Sequence, residues 1–144
     1  MNRDILFRGK CVDGGRWVYG FYVNQYGAHE IVCQNRSDAD GFESHHVHPE
    51  TICQYTGLTD KKGKKIFEGD ILRVAYHPEN DCIIEWHDGS FRLRCANEDK
   101  RAEYGSAYDA VCCVQNIVGK RNIVGNVFDN QELVKKAKGD KIKW

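Results

Sequence analysis

Three histidines crowd together at His45, His46 and His48, with Glu43 and Glu50 on either side. Imidazole and carboxylate together suit zinc, and alternate residues of an extended segment share a face, so His46 and His48 are the pair that would hold an ion. A closed site needs further ligands, and no spaced pair of the His-Glu-x-x-His kind occurs. A solvated histidine loop without metal is the expectation. Cysteine and histidine are both abundant, but nothing places a base beside a thiol of lowered pKa, so nucleophilic catalysis is not expected. Gly14-Gly15 and Gly63-Lys64 lack the spacing of a phosphate loop. Asp38, Asp40, Glu43 and Asp60 do not follow the calcium-loop pattern. The expectation is a protein with no catalytic residues and no cofactor, and a metal-dependent enzyme is the least favoured reading.

Two kinds of binding chemistry are better supplied. Lys61, Lys62, Lys64 and Lys65 put four ammonium groups on one turn, Arg92 and Arg94 add guanidinium groups to a strand, and Lys135, Lys136, Lys138, Lys141 and Lys143 crowd the tail. Beside Tyr76, Trp86 or Trp144, such cations suit nucleic acid, with phosphates on the charges and unpaired bases on the rings. The plainer account is a charged turn that blocks edge pairing and tail lysines that follow a helix dipole. The second chemistry is apolar association. Trp17, Tyr19, Phe21, Tyr22 and Tyr26 fall in one stretch, more than one strand face hides in a small core. Such a patch is completed by a second subunit, by another protein, or by residues 34–50 folding over it.

The elements that position these groups are short strands. The chain has 144 residues, enough for one domain or two small ones, and 21 basic residues balance 21 acidic ones, which argues against a surface that is basic throughout. No apolar run approaches the length of a membrane span and the start is charged, so a cytoplasmic protein without membrane contact is expected. In that reducing setting Cys11, Cys33, Cys53, Cys82, Cys95, Cys112 and Cys113 are expected as free thiols packed as small hydrophobes. Residues 4–8, 16–23 and 29–33 are rich in β-formers, and residues 34–50 form a polar loop. Asp88-Gly89 between two strand-like runs signals a tight hairpin. After it, Phe91 and Leu93 alternate with Arg92 and Arg94, which predicts one buried face and one wet, basic face. Asp129 and Asn130 offer a cap for a short helix over residues 131–138.

Phe7-x-Gly9 followed by Gly15-Arg16-x-Val18-Tyr19 is echoed by Tyr55-x-Gly57 followed by Gly63-Lys64-x-Ile66-Phe67. Each copy is a strand, a glycine-bearing turn and a returning strand, so one hairpin design serves both halves of the chain. The block from Val47-His48-Pro49-Glu50 through Tyr55-Thr56-Gly57-Leu58-Thr59-Asp60 to Ile66-Phe67-Glu68-Gly69-Asp70-Ile71 resembles the signature of the YopX family, small proteins encoded in phages and prophages. Phe7-Arg8-Gly9-Lys10, Gly15-Arg16-Trp17-Val18-Tyr19-Gly20 and residues 123–133 are similar to it as well. The resemblance implies a mostly β fold with an SH3-like barrel in the second half and a homo-oligomer, and it implies no activity. The block itself consists of turn residues (Asp60, Gly63, Gly69) and core candidates (Tyr55, Ile66, Phe67, Ile71), which mark a fold and not a reaction.

Together these readings predict a mostly β protein: an N-terminal β-hairpin subdomain over residues 1–50, an SH3-like small barrel over 51–130, and a short helix with a basic tail over 131–144. The expected function is that of a non-catalytic phage or prophage accessory module acting through protein–protein contacts, with itself or another phage or host protein as partner. Trp17, Tyr19, Phe21, Tyr22 and Tyr26 would form the interface. The alternative is nucleic-acid binding through Lys61, Lys62, Lys64, Lys65, Arg92 and Arg94.

Overall fold

Branched and aromatic side chains, interrupted by glycine-bearing turns, make almost every described element a short antiparallel strand. The computed structural model describes residues 4–35, 37, 41–73, 76–97, 108–110 and 120–134. Among these the fold is mostly β, built as two antiparallel sheets, with single 3-10 turns the only helical structure. No helix among the described residues is long and apolar enough to cross a membrane. The chain forms two compact units, Met1–Gly57 and Leu58–Trp144.

In the first unit the strands are β1 (Phe7–Lys10), β2 (Trp17–Gln25), β3 (Ala28–Gln34), β4 (Phe42–His46) and the start of β5 (Cys53–Thr59), ordered β4-β3-β2-β1-β5. The expected polar loop over residues 34–50 therefore contains a strand, β4, and a 3-10 turn at Pro49–Thr51. Its polar residues concealed β4, which lies at the sheet edge and needs little apolar surface. Cys11, Val18, Ile31 and Val47 form the core, with Phe7, Tyr22 and Ile52 packed against it. Gly20 lets β3 lie close to β2: a Cβ built there would sit 2.1 Å from the Val32 carbonyl oxygen.

The second unit holds β6 (Lys65–Phe67), which pairs with the end of β5, and the sheet β10-β9-β8-β7-β11. Its strands are β7 (Asp70–Arg73), β8 (Cys82–His87), β9 (Ser90–Cys95), β10 (Tyr108–Ala110) and β11 (Asn122–Asn126). Asp88 and Gly89, with φ of 47° and 76°, make the predicted tight turn between β8 and β9. Ile66, Leu72, Ile84 and Leu93 fill one side of this sheet. Ile71, Ile83, Ala96, Val127 and Val134 fill the other. Both faces are thus covered, which explains the paired apolar residues Ile71-Leu72 and Ile83-Ile84.

Two expectations need correction. The sheets do not close into the expected SH3-like barrel among the described residues: β10 and β11 are the two edges of an open sheet, and the residues around Val127 and Val134 cover its second face instead. The expected helix is, in its described part, one 3-10 turn at Gln131–Leu133. Asn130 does not cap it. Its Oδ1 accepts the Asn126 N–H at 3.3 Å and its Nδ2 donates to the Glu132 side chain at 3.2 Å, so the side chain links the preceding loop to the turn without bonding the turn's backbone. Residues 135–144, with the tail lysines and Trp144, lie outside the described residues, as do Asp38, Asp40, Cys112 and Cys113. The two echoed hairpins also differ. The Cys11 N–H bonds the Arg16 carbonyl in the first, while the Asp60 N–H bonds the Lys64 carbonyl in the second, one residue shorter.

Asp60 accounts for the shorter turn. Its Oδ1 accepts the N–H groups of Lys62 (2.8 Å) and Lys64 (2.9 Å), and its Oδ2 accepts that of Ile123 on β11 (3.2 Å). Burial alone would raise its pKa, but the N–H groups of Lys64, Ile123 and Lys62 outweigh burial and hold it below the ordinary aspartate range. A depressed folded-state pKa adds stability above the unfolded value, about 4, and loses it as pH falls through the folded value. Asp60→Ala should therefore cost about 3 kcal/mol near neutral pH, with the gap narrowing on acidification. Urea denaturation across the acid range reads this directly, and a gap independent of pH would rule out the carboxylate charge as its source. In the first unit, Gly20→Ala should cost about 3 kcal/mol because backbone, not a mobile side chain, must give way. A loss below about 0.5 kcal/mol in the same assay, the size of an ordinary surface change, would show that β3 can shift freely.

Candidate functional site

Alternation along β2 sorts its aromatic residues onto two faces. Trp17, Tyr19, Phe21 and Val23 point outward, while Val18 and Tyr22 point to the core. Register extends the outer face across the sheet: Phe21 pairs with Val32, Val32 with Ser44, and Gln34 with Phe42. The result is an apolar stripe in which Phe21 is 60% and Phe42 68% exposed, with Tyr19 and Val23 also open to solvent. At one end Trp17 is covered by Arg8, whose guanidinium carbon lies 4.6 Å from the ring centroid, and by the Lys10 ammonium at 5.7 Å. Tyr26 stands at the β2–β3 hairpin tip, fully exposed and with φ of 52°.

Four of the five residues expected at an interface are therefore at the surface or its margin. Tyr22 is the exception. Its hydroxyl is 2.7 Å from His29 Nδ1, its ring stacks on His29 and tilts against Phe7, and it belongs to the inner face. Phe42 and Val23 join this face outside the expected set: Phe42 lies on β4, whose polar sequence resembles a loop, and a single valine carries no signal of its own.

The histidines divide in the same way. His46 Nδ1 is 3.5 Å from Glu30 and His48 Nδ1 is 3.8 Å from Glu50, so the two candidate metal ligands face two different carboxylates. The register of β3 on β4 sets Cys33 opposite Glu43, with His45 two residues further on the same face. His45 Nε2 lies 3.2 Å from Glu43 Oε1, and the Cys33 thiol lies 3.6 Å from that oxygen. His45 holds the Glu43 carboxyl below its ordinary range, against some burial, with the Cys33 thiol assisting. Burial, then Glu43, push the Cys33 thiol up. Arg16 reaches this group, its Nη2 being 3.3 Å from His45 Nδ1.

The basic residues do not form one surface. Lys61, Lys62, Lys64 and Lys65 are all exposed on the turn that Asp60 organises. Arg94 is withdrawn: it is 5% exposed and donates from Nε to Glu85 at 2.7 Å, on the sheet face that carries Ile83. The predicted wet, basic face of β9 is thus corrected. Residues 127–134 cover it, and Glu85 neutralises the arginine left inside. Arg92 is half-buried, with Nε donating to Ser90 Oγ at 3.2 Å. Trp86 packs edge-on to Phe91 at 4.9 Å between centroids, and Tyr76 stands free in solvent.

Among the described residues no cysteine is joined in a disulfide, and Cys11 and Cys53 are buried. In fold, the chain is similar to the crystal structure of protein EF1440 from Enterococcus faecalis, with TM-score 0.56 and 22% identity over 93% of this chain and 100% of that one. At that identity the likeness concerns architecture alone. No curated protein matches the sequence. The family model described as YopX protein matches residues 7–135, which run from β1 past β11 and include the central block of turn and core residues. The chain belongs to the YopX family.

Proposed function

We propose that the protein is a non-catalytic binding module that works through protein–protein contacts, and that a second copy of the same chain covers the outer face of β2, β3 and β4. The observation that carries this is the exposure of Phe21 and Phe42 on one continuous face. A cluster of exposed large apolar side chains marks a contact surface, and symmetric association lets one patch complete itself. Tyr26 supports the reading. A left-handed position followed by glycine favours asparagine, and an L side chain such as tyrosine there costs about 1 kcal/mol. A fully exposed tyrosine kept at that cost points to a contact made by its ring. Family membership is the ground for placing this activity in a phage or prophage setting, inside the cell that carries it.

Phe21→Asp places a charge on the stripe without touching the core, so light scattering should report an assembled wild type and a monomeric, folded variant. Tyr26→Asn should weaken assembly while raising stability by up to about 1 kcal/mol. A monomeric wild type, or a Phe21→Asp variant of unchanged mass, would overturn self-association through this face.

One observation favours a second reading, nucleic-acid binding: the four exposed lysines on a turn held rigid by Asp60. Fluorescence anisotropy with single-stranded DNA, duplex DNA and RNA at about 50 and 200 mM salt tests it. Binding that falls steeply with salt and is lost in Lys62→Glu/Lys64→Glu would carry it, and no binding at the lower salt would remove it.

A further inference from the structure

Cys33, Glu43 and His45 bring three different metal-ligating chemistries together at the β4 edge of the first unit. Their ligand atoms lie within 4.8 Å of one another. Zinc bonds of about 2.0–2.3 Å in a tetrahedron put neighbouring ligand atoms roughly 3.3–3.6 Å apart. Two of the three separations fall near this range, 3.2 Å for His45 Nε2 to Glu43 Oε1 and 3.6 Å for Cys33 Sγ to the same oxygen, and the third is within 4.8 Å. The His45 Nε2 atom is buried, and despite its nearness to Glu43 it makes no well-aligned hydrogen bond. A cation there would replace that imperfect contact with a bond to the nitrogen lone pair.

We propose that Cys33, Glu43 and His45 form a surface site for a zinc-class divalent cation, with the fourth position open to solvent. The ligands come from directly paired strands, so the backbone ladder fixes their spacing before any ion arrives. A mixed sulfur, nitrogen and carboxylate set favours zinc or cobalt over magnesium or calcium, which take oxygen. Binding converts the Cys33 thiol to a thiolate and releases its proton to solvent, the Glu43 carboxylate being ionised already. Burial and Glu43 oppose thiolate formation without an ion. This disfavours a free nucleophile here, whereas a bound cation reverses the balance.

Arg16 competes with the cation. Its guanidinium lies 3.3 Å from His45 Nδ1, which as an acceptor leaves the imidazole proton on Nε2, toward Glu43. Metal at Nε2 moves that proton to Nδ1 and turns the exposed Arg16 side chain away. The site lies on the other face of β3 and β4 from the apolar stripe, so it stands or falls independently of self-association.

The test is titration of the reduced, chelator-treated chain with Co2+, followed by the thiolate-to-cobalt charge-transfer band and the visible bands of tetrahedral cobalt, with Zn2+ as the displacing ion. One equivalent should bind. Cys33→Ser should abolish the charge-transfer band, and His45→Ala and Glu43→Gln should each weaken binding by at least about tenfold. Arg16→Ala should tighten it several-fold, a direction that general damage to the fold would not produce. Circular dichroism checks that each variant is folded. No charge-transfer band at millimolar cobalt would overturn the proposal. So would a band undiminished in Cys33→Ser, which would assign the thiolate to another cysteine.

Discussion

What the first unit presents to its surroundings depends on the bare hydrogen at position 20. With a side chain there, β3 could not bring its Val32 carbonyl so near the β2 backbone. The pairing of Tyr22 with Ile31 and Phe21 with Val32 would then have to open. Everything outward of β2 is referenced to that pairing. β3 carries β4, and a slip of one residue would turn every side chain of both strands to the opposite face. Phe42 would leave the outer stripe, and Cys33, Glu43 and His45 would turn into it together. A single close approach of backbone to backbone thus fixes an apolar surface on one side of the sheet and a ligating group on the other.

The second unit solves a different problem. Its sheet is apolar on both faces, so it needs cover twice: Leu58 and Ile66 pack on one side, and the segment carrying Val127, Leu133 and Val134 on the other. Three of the charged groups drawn inside have partners in place. Arg94 has Glu85, Arg73 has Asp81 through two hydrogen bonds, and Asp70 accepts the Phe67 N–H at 2.9 Å. Each removes a charge from the exterior that the sequence alone offers as surface. The lysines of the Asp60 turn remain outside.

Features encoded within a few residues of one another were legible in the sequence. Asp88-Gly89 announced its turn because positive φ at both positions is a local requirement, and the motif from Val47 to Ile71 announced the family because its turn residues keep fixed spacing. The misreadings arose where distant residues decide the outcome. Arg94 looks wet until residues 127–134 are known to cover its face, and Asn130 looks like a cap until Asn126 claims its side chain. Of the interface, the aromatic composition was legible but the allotment of faces was not, since it needed the start of β2 to within one residue. The grouping of Cys33 with Glu43 and His45 was hidden for a simpler reason. β4 has the polarity of a loop, and without β4 there is no register to bring position 33 opposite 43.

The segment that covers the second sheet also imposes an order on synthesis. The first unit's core is complete within residues 7–52, so it can close while the rest of the chain is still being made. The second cannot. β9 ends at Cys95, and the last covering residue, Val134, follows about 40 residues later. At the usual ~5–20 residues per second, Ile71 and Ile83 stay uncovered for a few seconds after their strands have left the ribosome. That interval is when the nascent protein is most exposed to aggregation and to chaperone capture. Slow codons after residue 95 would lengthen it, while leaving the finished molecule unchanged.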